Sequence, residues 1–503
     1  MASSEHDLPL STRDLSDGLP PGYPRITPSS PLRDFGPVSM DYERCAALHN
    51  EILTKAVRAG GGEMPSAPLS WWEARAPPGE VADTLHPSLI EFLKRAWDED
   101  VKPTRGCLFF FLGTLKLPEG FFRDEEWFTA DDPYEPGRFL KLYQSSAFSF
   151  EDDGGIFFDQ RTMKATFITY QENTQLVTAH EWGWMPLEVI LDSYLQMVDE
   201  GKVEAVSTEQ VALLGGDPTC GVVKPWVIYE YTKVDVERAT TAFKRLINAI
   251  ESRIKDKKDS AHTPIALPWH DSETYNPNLL PQSSFTHEFL SAISNIKVSF
   301  RYIAPGIRFP SIPEFADQPI TDFTTSPRRN LGQFPGNCPL RLFETDPAAA
   351  DAARNGDGKH PIPREGHYLG LNHVAPGFYI PRVVQRWPEF WSNGCRLILP
   401  FAIGRHGYAR KSNGEPLGLS DCDHTDENPK PRDARGDLYQ AGITNGITDS
   451  HPVAIDKVLN NWAERVESGA WEVDADGVKG GIEKFREADT EEHWREYWIP
   501  PSW

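Results

Sequence analysis

Three carboxylates fall within five residues at Asp131-Asp132-Pro133-Tyr134-Glu135, a DDxxE pattern. So dense a negative field suits two chemical tasks. It can ligate a hard divalent cation, or it can receive a guanidinium or ammonium, since carboxylates accept arginine in bidentate fashion. Crowding also raises the proton affinity of one member, which fits it for general acid or base work. The competing reading is a solvated turn, because Asp, Pro and the following Gly137 are turn formers. Trp127, Phe128, Tyr134 and Phe139 flank the motif. Their apolar bulk predicts a loop that packs down beside a pocket.

The second signal is basic. Between Lys244 and Lys258 stand six basic residues, Lys244, Arg245, Arg253, Lys255, Lys257 and Lys258, against Glu251 and Asp256. Lys244, Lys255 and Lys258 share one helical face by 3.6-residue spacing. A local basic stripe is what contact with a phosphate backbone requires, although a solvated helix face reads the same way. Other possible chemical groups are less distinctive. His180-Glu181, the trio His360, His367 and His373, and His424 within Asp421–Glu427 complete no recognisable metal triad. Ser145, Ser146 and Ser149, with Tyr143 beside them, follow the acidic loop. A serine nucleophile needs a base within hydrogen-bond reach, which spacing alone does not supply. The chain has no GxGxxG after a strand, no P-loop, no GxSxG elbow and no HExxH.

The elements that must position these groups read as a mixed, loop-rich α/β fold. Helices are predicted from Tyr42 to about Val57 before Gly60-Gly61-Gly62, from Leu89 to Asp98, from Leu187 to Glu200 after Pro186, from Val234 to Lys258, and from His451 to Val466. Buried strands are predicted at Cys107–Leu112 and Arg396–Phe401, with shorter ones at 165–170, Val227–Tyr229 and Phe300–Ile303. The expected organisation is a disordered tail over 1–38, an α/β catalytic region over 39–311, a Pro/Gly-rich linker or excursion over 312–366, and a C-terminal α+β region over 367–503 packed on the first. Within 39–311 a Rossmann-like catalytic core is one option.

Composition bounds the function. The 503 residues hold 51 basic and 74 acidic side chains, for a net charge of −23, and 43 prolines. Such a charge repels nucleic acid as a whole and excludes a general DNA binder. The six cysteines show no CxxC or finger spacing, which fits reduced thiols. No window reaches 18 apolar residues and the first 19 residues lack a secretory pattern. A cytoplasmic protein without a membrane partner is expected.

Two families carry DDxxE motifs of this kind. Class I terpene synthases place theirs on a long apolar helix, where Pro133 does not belong, and complete the site with an Asn/Ser/Glu triad. Asn460, Asn461, Glu464 and Glu467 lack that Ser. The chain more closely resembles the arginine-containing cyclodipeptide synthases of fungi, through Asp131-Asp132-Pro133-Tyr134-Glu135, its length and its basic helix. The resemblance implies an enzyme that joins arginyl-tRNA and a second aminoacyl-tRNA into a cyclo(Arg-Xaa) diketopiperazine for secondary metabolism. Asp131, Asp132 and Glu135 would be catalytic. Lys244, Arg245, Arg253, Lys255, Lys257 and Lys258 would meet the tRNA, and no metal or other cofactor would be needed. The shorter bacterial cyclodipeptide synthases hold a nucleophilic Ser at a strand end. Here Phe111-Leu112-Gly113-Thr114 has none, so no nucleophile is assigned. Two other readings use the same residues: a metal-dependent lyase or cyclase, and a non-enzymatic interaction protein built on the Trp-rich tail and Pro-rich loops.

Overall fold

The computed structural model describes residues 23–98, 107–128, 135–146, 154–169, 183–214, 220–254, 265–269, 283–316, 340–346, 376–381, 391–417, 437–442, 445–448 and 451–503. It is a mixed α/β protein with several antiparallel sheets around two large apolar cores.

The first core lies between a meander and two helices. The meander runs β1 (Leu112–Leu115), β2 (Phe139–Ser145), β3 (Gly155–Asp159) and β4 (Lys164–Ile168), each antiparallel to the next. Helix α1 (Tyr42–Ala59) starts where the Asp41 carboxylate accepts the Arg44 N–H at 3.2 Å. It buries Cys45, Leu48, Ile52, Leu53 and Ala56, a single stripe at helical spacing. Helix α2 (Pro87–Leu93) packs on α1, as does helix α3 (Leu187–Asp199), which also meets β4. Period-two alternation divides the sheet's side chains. Leu140, Leu142, Ile156, Phe158, Ala165 and Phe167 join this core. Phe139, Phe157 and Ile168 form a separate cluster. A three-stranded sheet of β5 (Val203–Ala205), β6 (Cys220–Val223) and β7 (Trp226–Tyr229) closes the core, in the order β5-β7-β6.

The second core is carried by helix α4 (Lys233–Glu251), helix α5 (Phe285–Ile293) and helix α6 (Ile455–Ser468). A reciprocal Thr232–Asp235 capping box starts α4. A two-stranded pair, β8 (Ile265–Ala266) and β9 (Lys297–Val298), lies beside an eight-stranded sheet. The strands of that sheet are β10 (Tyr302–Ala304), β11 (Ile307–Arg308), β12 (Leu340–Thr345), β13 (Gly377–Ile380), β14 (Arg396–Ile398), β15 (Asp437–Leu438), β16 (Val473–Asp474) and β17 (Gly477–Val478), in the order β15-β14-β13-β12-β11-β10-β17-β16. Its pairs are antiparallel except β10 with β17, where Tyr302 faces Gly477. A Cβ on Gly477 would lie 2.3 Å from the Tyr302 carbonyl oxygen, so that pairing needs glycine. Trp462 of α6 sits among Phe378, Trp471 and Phe485, and its indole N–H donates to the Tyr439 hydroxyl at 2.9 Å. The Asp489 carboxylate accepts the backbone N–H groups of Gly404, His406, Tyr408 and Ala409 at 2.8–3.1 Å, which anchors the loop after β14.

Five sequence expectations change. The run Cys107–Leu112 is buried, but only Leu112, the first residue of β1, is strand. Its backbone reverses, with Phe109 N–H donating to Leu112 O at 3.1 Å and Leu112 N–H to Phe109 O at 3.0 Å. Ser146 and Trp226 satisfy the turn's other carbonyls, while Phe109 stacks on Tyr194 at 4.5 Å. The helix expected to reach Asp98 ends at Leu93. Beyond it, Trp97 N–H is taken by Asn50 at 2.9 Å and the Asp98 carboxylate by Arg75 at 2.6 and 3.0 Å. The basic helix ends at Glu251 and not at Lys258. Residues 23–38 of the expected tail are held to the body: Arg25 pairs with Asp192 and Asp199, and Arg44 donates to Pro31 O at 2.9 Å and to Ser30 Oγ at 3.0 Å. The stretch 312–366 supplies β12, which lies between β11 and β13 in the large sheet. That sheet therefore joins strands from before residue 311 to strands from after residue 367.

Candidate functional site

Of the motif carboxylates, Asp131 and Asp132 lie outside the described residues. Both flanks of the motif are described. On the upstream side a 3-10 turn, Glu125–Phe128, lays Trp127 and Phe128 on the outer face of the meander. Phe128 stacks on Phe139 at 4.3 Å, and Trp127 lies 5.5 Å from Phe157. Trp184 closes the cluster 5.9 Å from Phe139. On the downstream side Gly137 has φ +81°, and a Cβ there would come within 2.5 Å of Thr84. The Gln160 side-chain amide donates to Gly137 O at 2.5 Å and to Thr84 O at 3.1 Å, and accepts the His86 N–H at 2.6 Å. Arg138 then forks onto Asp159 at 3.0 and 2.9 Å with its guanidinium 4.4 Å over the Phe139 ring. Trp127, Phe128 and Phe139 therefore pack onto the sheet, while Tyr134 and the loop expected to lie beside a pocket fall outside the described residues.

Glu135 stands at the rim, its side chain 47 % exposed and 3.5 Å from Arg161. Beneath the aromatic cluster lies Lys141, 1 % exposed. Its ammonium pairs with Asp124 and sits 5.0 Å from the Trp127 ring and 5.3 Å from Phe157. On the face next to the motif the Lys141 cation thus lies against aromatic rings and the Asp124 carboxylate. An aromatic wall with carboxylates at its edge suits recognition of a flat or compact cation.

The basic residues are arranged differently. Arg245 of α4 forks onto Glu467 of α6 at 3.0 and 2.6 Å, reaches Asn460 at 3.0 Å and lies 3.5 Å from Glu464. Arg253 donates to Glu467 O at 2.6 Å. These two arginines therefore link α4 to α6. Lys244 is exposed on the same open groove, which Thr241, Asn248 and Ser252 also line. Lys255, Lys257 and Lys258 lie outside the described residues.

The serines and Tyr143 are placed as parts of the scaffold. Ser146 donates to Phe110 O at 2.6 Å, and Ser145 is buried in β2. Tyr143 Oη meets His49 Nδ1 at 2.9 Å, and His49 Nε2 lies 3.0 Å from Trp97 O. That carbonyl can only accept, so Nε2 carries the proton and Nδ1 accepts from the tyrosine. Burial holds the His49 imidazole down at about 4, so it is neutral near pH 7. Ser149, His180, His360, His367, His373 and His424 lie outside the described residues. No three His, Cys, Asp or Glu side chains converge on a metal-sized site among the described residues. No helix among them is long and apolar enough to cross a membrane.

Sequence reasoning passed over several buried ionisable groups. Lys202 is 1 % exposed and donates to Glu230 O at 2.6 Å with its ammonium 4.4 Å from the Trp391 ring. Burial lowers its amine to about 7. His451 lies against the same ring at 3.9 Å between centroids, where burial brings it down to about 3. Glu188 and Glu344, each under 5 % exposed, are raised to about 7. One signal marks Lys141 and Glu188: a single charge inside an apolar run, as in Phe139-Leu140-Lys141-Leu142-Tyr143 and Leu187-Glu188-Val189-Ile190-Leu191.

Compared with known proteins, the chain matches no family model, no curated protein and no solved structure.

Proposed function

We propose that this chain is a tRNA-dependent cyclodipeptide synthase that forms cyclo(Arg-Xaa) from arginyl-tRNA and a second aminoacyl-tRNA in the cytoplasm. What supports the reading most is the DDxxE motif, joined at both ends to packed structure beside the aromatic face against which Lys141 lies. In this proposal the motif carboxylates hold the arginyl guanidinium and take a proton from an α-ammonium. The freed amine attacks the other group's ester carbonyl. A C–N bond forms, the C–O bond to the tRNA breaks, and the tRNA leaves with its hydroxyl restored. Repetition with the second amine closes the ring and releases the second tRNA. The two esters carry the driving force, so no nucleoside triphosphate is consumed. A Rossmann-like core belongs to the same proposal. Lys244 is the described residue of the basic stripe best exposed to meet an acceptor stem, and with a net charge of −23 such contact would be weak and salt-sensitive.

The test is mass spectrometry of a host expressing only this chain, with Asp132→Ala and Glu135→Ala as variants. A cyclo(Arg-Xaa) product lost in both variants, at unchanged melting temperature, supports the proposal. Undiminished product from both variants, or no such product from the native chain, overturns it.

A further inference from the structure

We propose that a cleft between residues 33–41, the turn at 162–164 and the start of α3 binds a small primary amine bearing an apolar group, with Glu188 as its counter-ion. The cleft has a volume of about 330 Å³, inside the range of roughly 300–1,000 Å³ common for small-ligand sites. Phe35, Met40, Met163 and Pro186 give it an apolar lining, while Asp41 and Glu188 supply carboxylates. Glu188 is 3 % exposed, and its Oε2 accepts the Cys45 thiol at 3.5 Å.

Charge selects the ligand class. Arg33, on the wall, is held by Asp41 at 2.7 and 2.5 Å with Glu43 at 3.8 Å, so its charge is already matched. Lys164 is the other cation of the lining, against Asp34 and Glu188, and the buried Arg44, 3.7 Å from Asp41, acts to lower the Glu188 carboxyl without overcoming burial. Burial, and after it the negative charge of Asp41, raise the Glu188 carboxyl to about 7. Burial raises that carboxyl because a lone charge there is poorly solvated; an ammonium beside it would offset the cost of ionisation as the proton does, and an anion would not. Binding is then an exchange: the ammonium enters, the Glu188 carboxyl gives up its proton to solvent, and an ion pair remains. The apolar group of the ligand covers Phe35 and Met163 and removes their surface from water. This inference does not rest on the synthase reading.

The test is calorimetry on the full chain with benzylamine, and with benzoate as the anionic control. At pH about 6, in two buffers of different ionisation enthalpy, benzylamine is expected to bind with release of nearly one proton, and the release is expected to vanish above pH about 8. Glu188→Gln, which keeps the shape of the neutral acid, is expected to lose at least about tenfold in affinity together with the proton release. Phe35→Ala, at the accessible edge, is expected to weaken binding and leave the proton release intact. That variant decides the matter should Glu188→Gln melt early. Benzoate binding as tightly as benzylamine, benzylamine binding without proton release, or no benzylamine binding at millimolar concentration each overturns the proposal.

Discussion

Glu188 and Glu344 are matched carboxyls in different cores. Each is almost fully buried, and each is raised to about 7. Burial is the first cause in both, and the second layer differs. Glu188 has a thiol for a partner and an open cleft beside it. Glu344 lies under two arginines, Arg308 at 2.8 Å and Arg341 at 3.2 Å. Arg308 also forks onto Glu314 at 3.1 and 2.7 Å, which holds that carboxyl well below the usual range. The same proton affinity therefore marks two different devices. Around Glu344 the arginines and carboxylates pair with one another and tie β11 to β12. Beside Glu188 there is room for a ligand to replace the proton.

The strongest way to break this comparison is Arg308→Ala. Removal of one partner leaves buried carboxylates uncompensated, and a loss of about 3–5 kcal/mol is expected in denaturant unfolding. A loss under about 1 kcal/mol would show that the β11–β12 charges are not a closed structural unit.

The pH dependence of stability comes next. A carboxyl raised in the folded state contributes stability that is fully present below pH 4.5 and lost as pH climbs through about 7. For Glu188 the span from 4.5 to about 7 corresponds to at most about 3 kcal/mol. Glu188→Gln is expected to flatten the decline in melting temperature between those pH values. Glu344→Gln should flatten it as well, because an amide does not ionise as pH rises. Benzylamine should shift only the Glu188 part. An equal shift in Glu188→Gln would erase the distinction between the two sites.

Arg245→Ala separates an interhelical link from a nucleic-acid contact. The pair with Glu467 is 38 % exposed on both sides, so a cost of about 1 kcal/mol or less is expected, against almost none for Lys244→Ala. If Lys244→Ala alone weakens tRNA retention on a filter, the stripe is divided between structure and binding. Equal tRNA loss in both variants, with no change in stability, would return Arg245 to the interface.

A comparably small stability effect is expected at Glu135. Its half-exposed carboxylate near Arg161 should cost under about 0.5 kcal/mol when changed to alanine. The variant's melting curve should overlay that of the native chain even where its product is lost.

Much of the fold was legible in local pattern. Asp41 and Gly60 mark the ends of α1, Pro186 marks the start of α3, and the apolar stripes name the buried faces. Caps and periodicity are written within a few residues, so the sequence by itself determined those helices, the mixed α/β class and the aromatic packing beside the motif. Tertiary structure alone decided the rest. The Phe109–Leu112 reversal depends on Ser146 and Trp226, 36 and 118 positions away. The place of Leu340–Thr345 depends on strands at both 307–308 and 377–380. Arg245 reads as a free cation until Glu467, 222 positions on, takes it. Glu188 reads as one more surface acid of a −23 chain until Cys45, 143 positions earlier, and the 33–41 segment bury it. A charge keeps its ordinary chemistry in water. Neighbours that exclude water, bring charge or hydrogen-bond to it change its proton affinity, and at Glu188 those neighbours come from distant sequence.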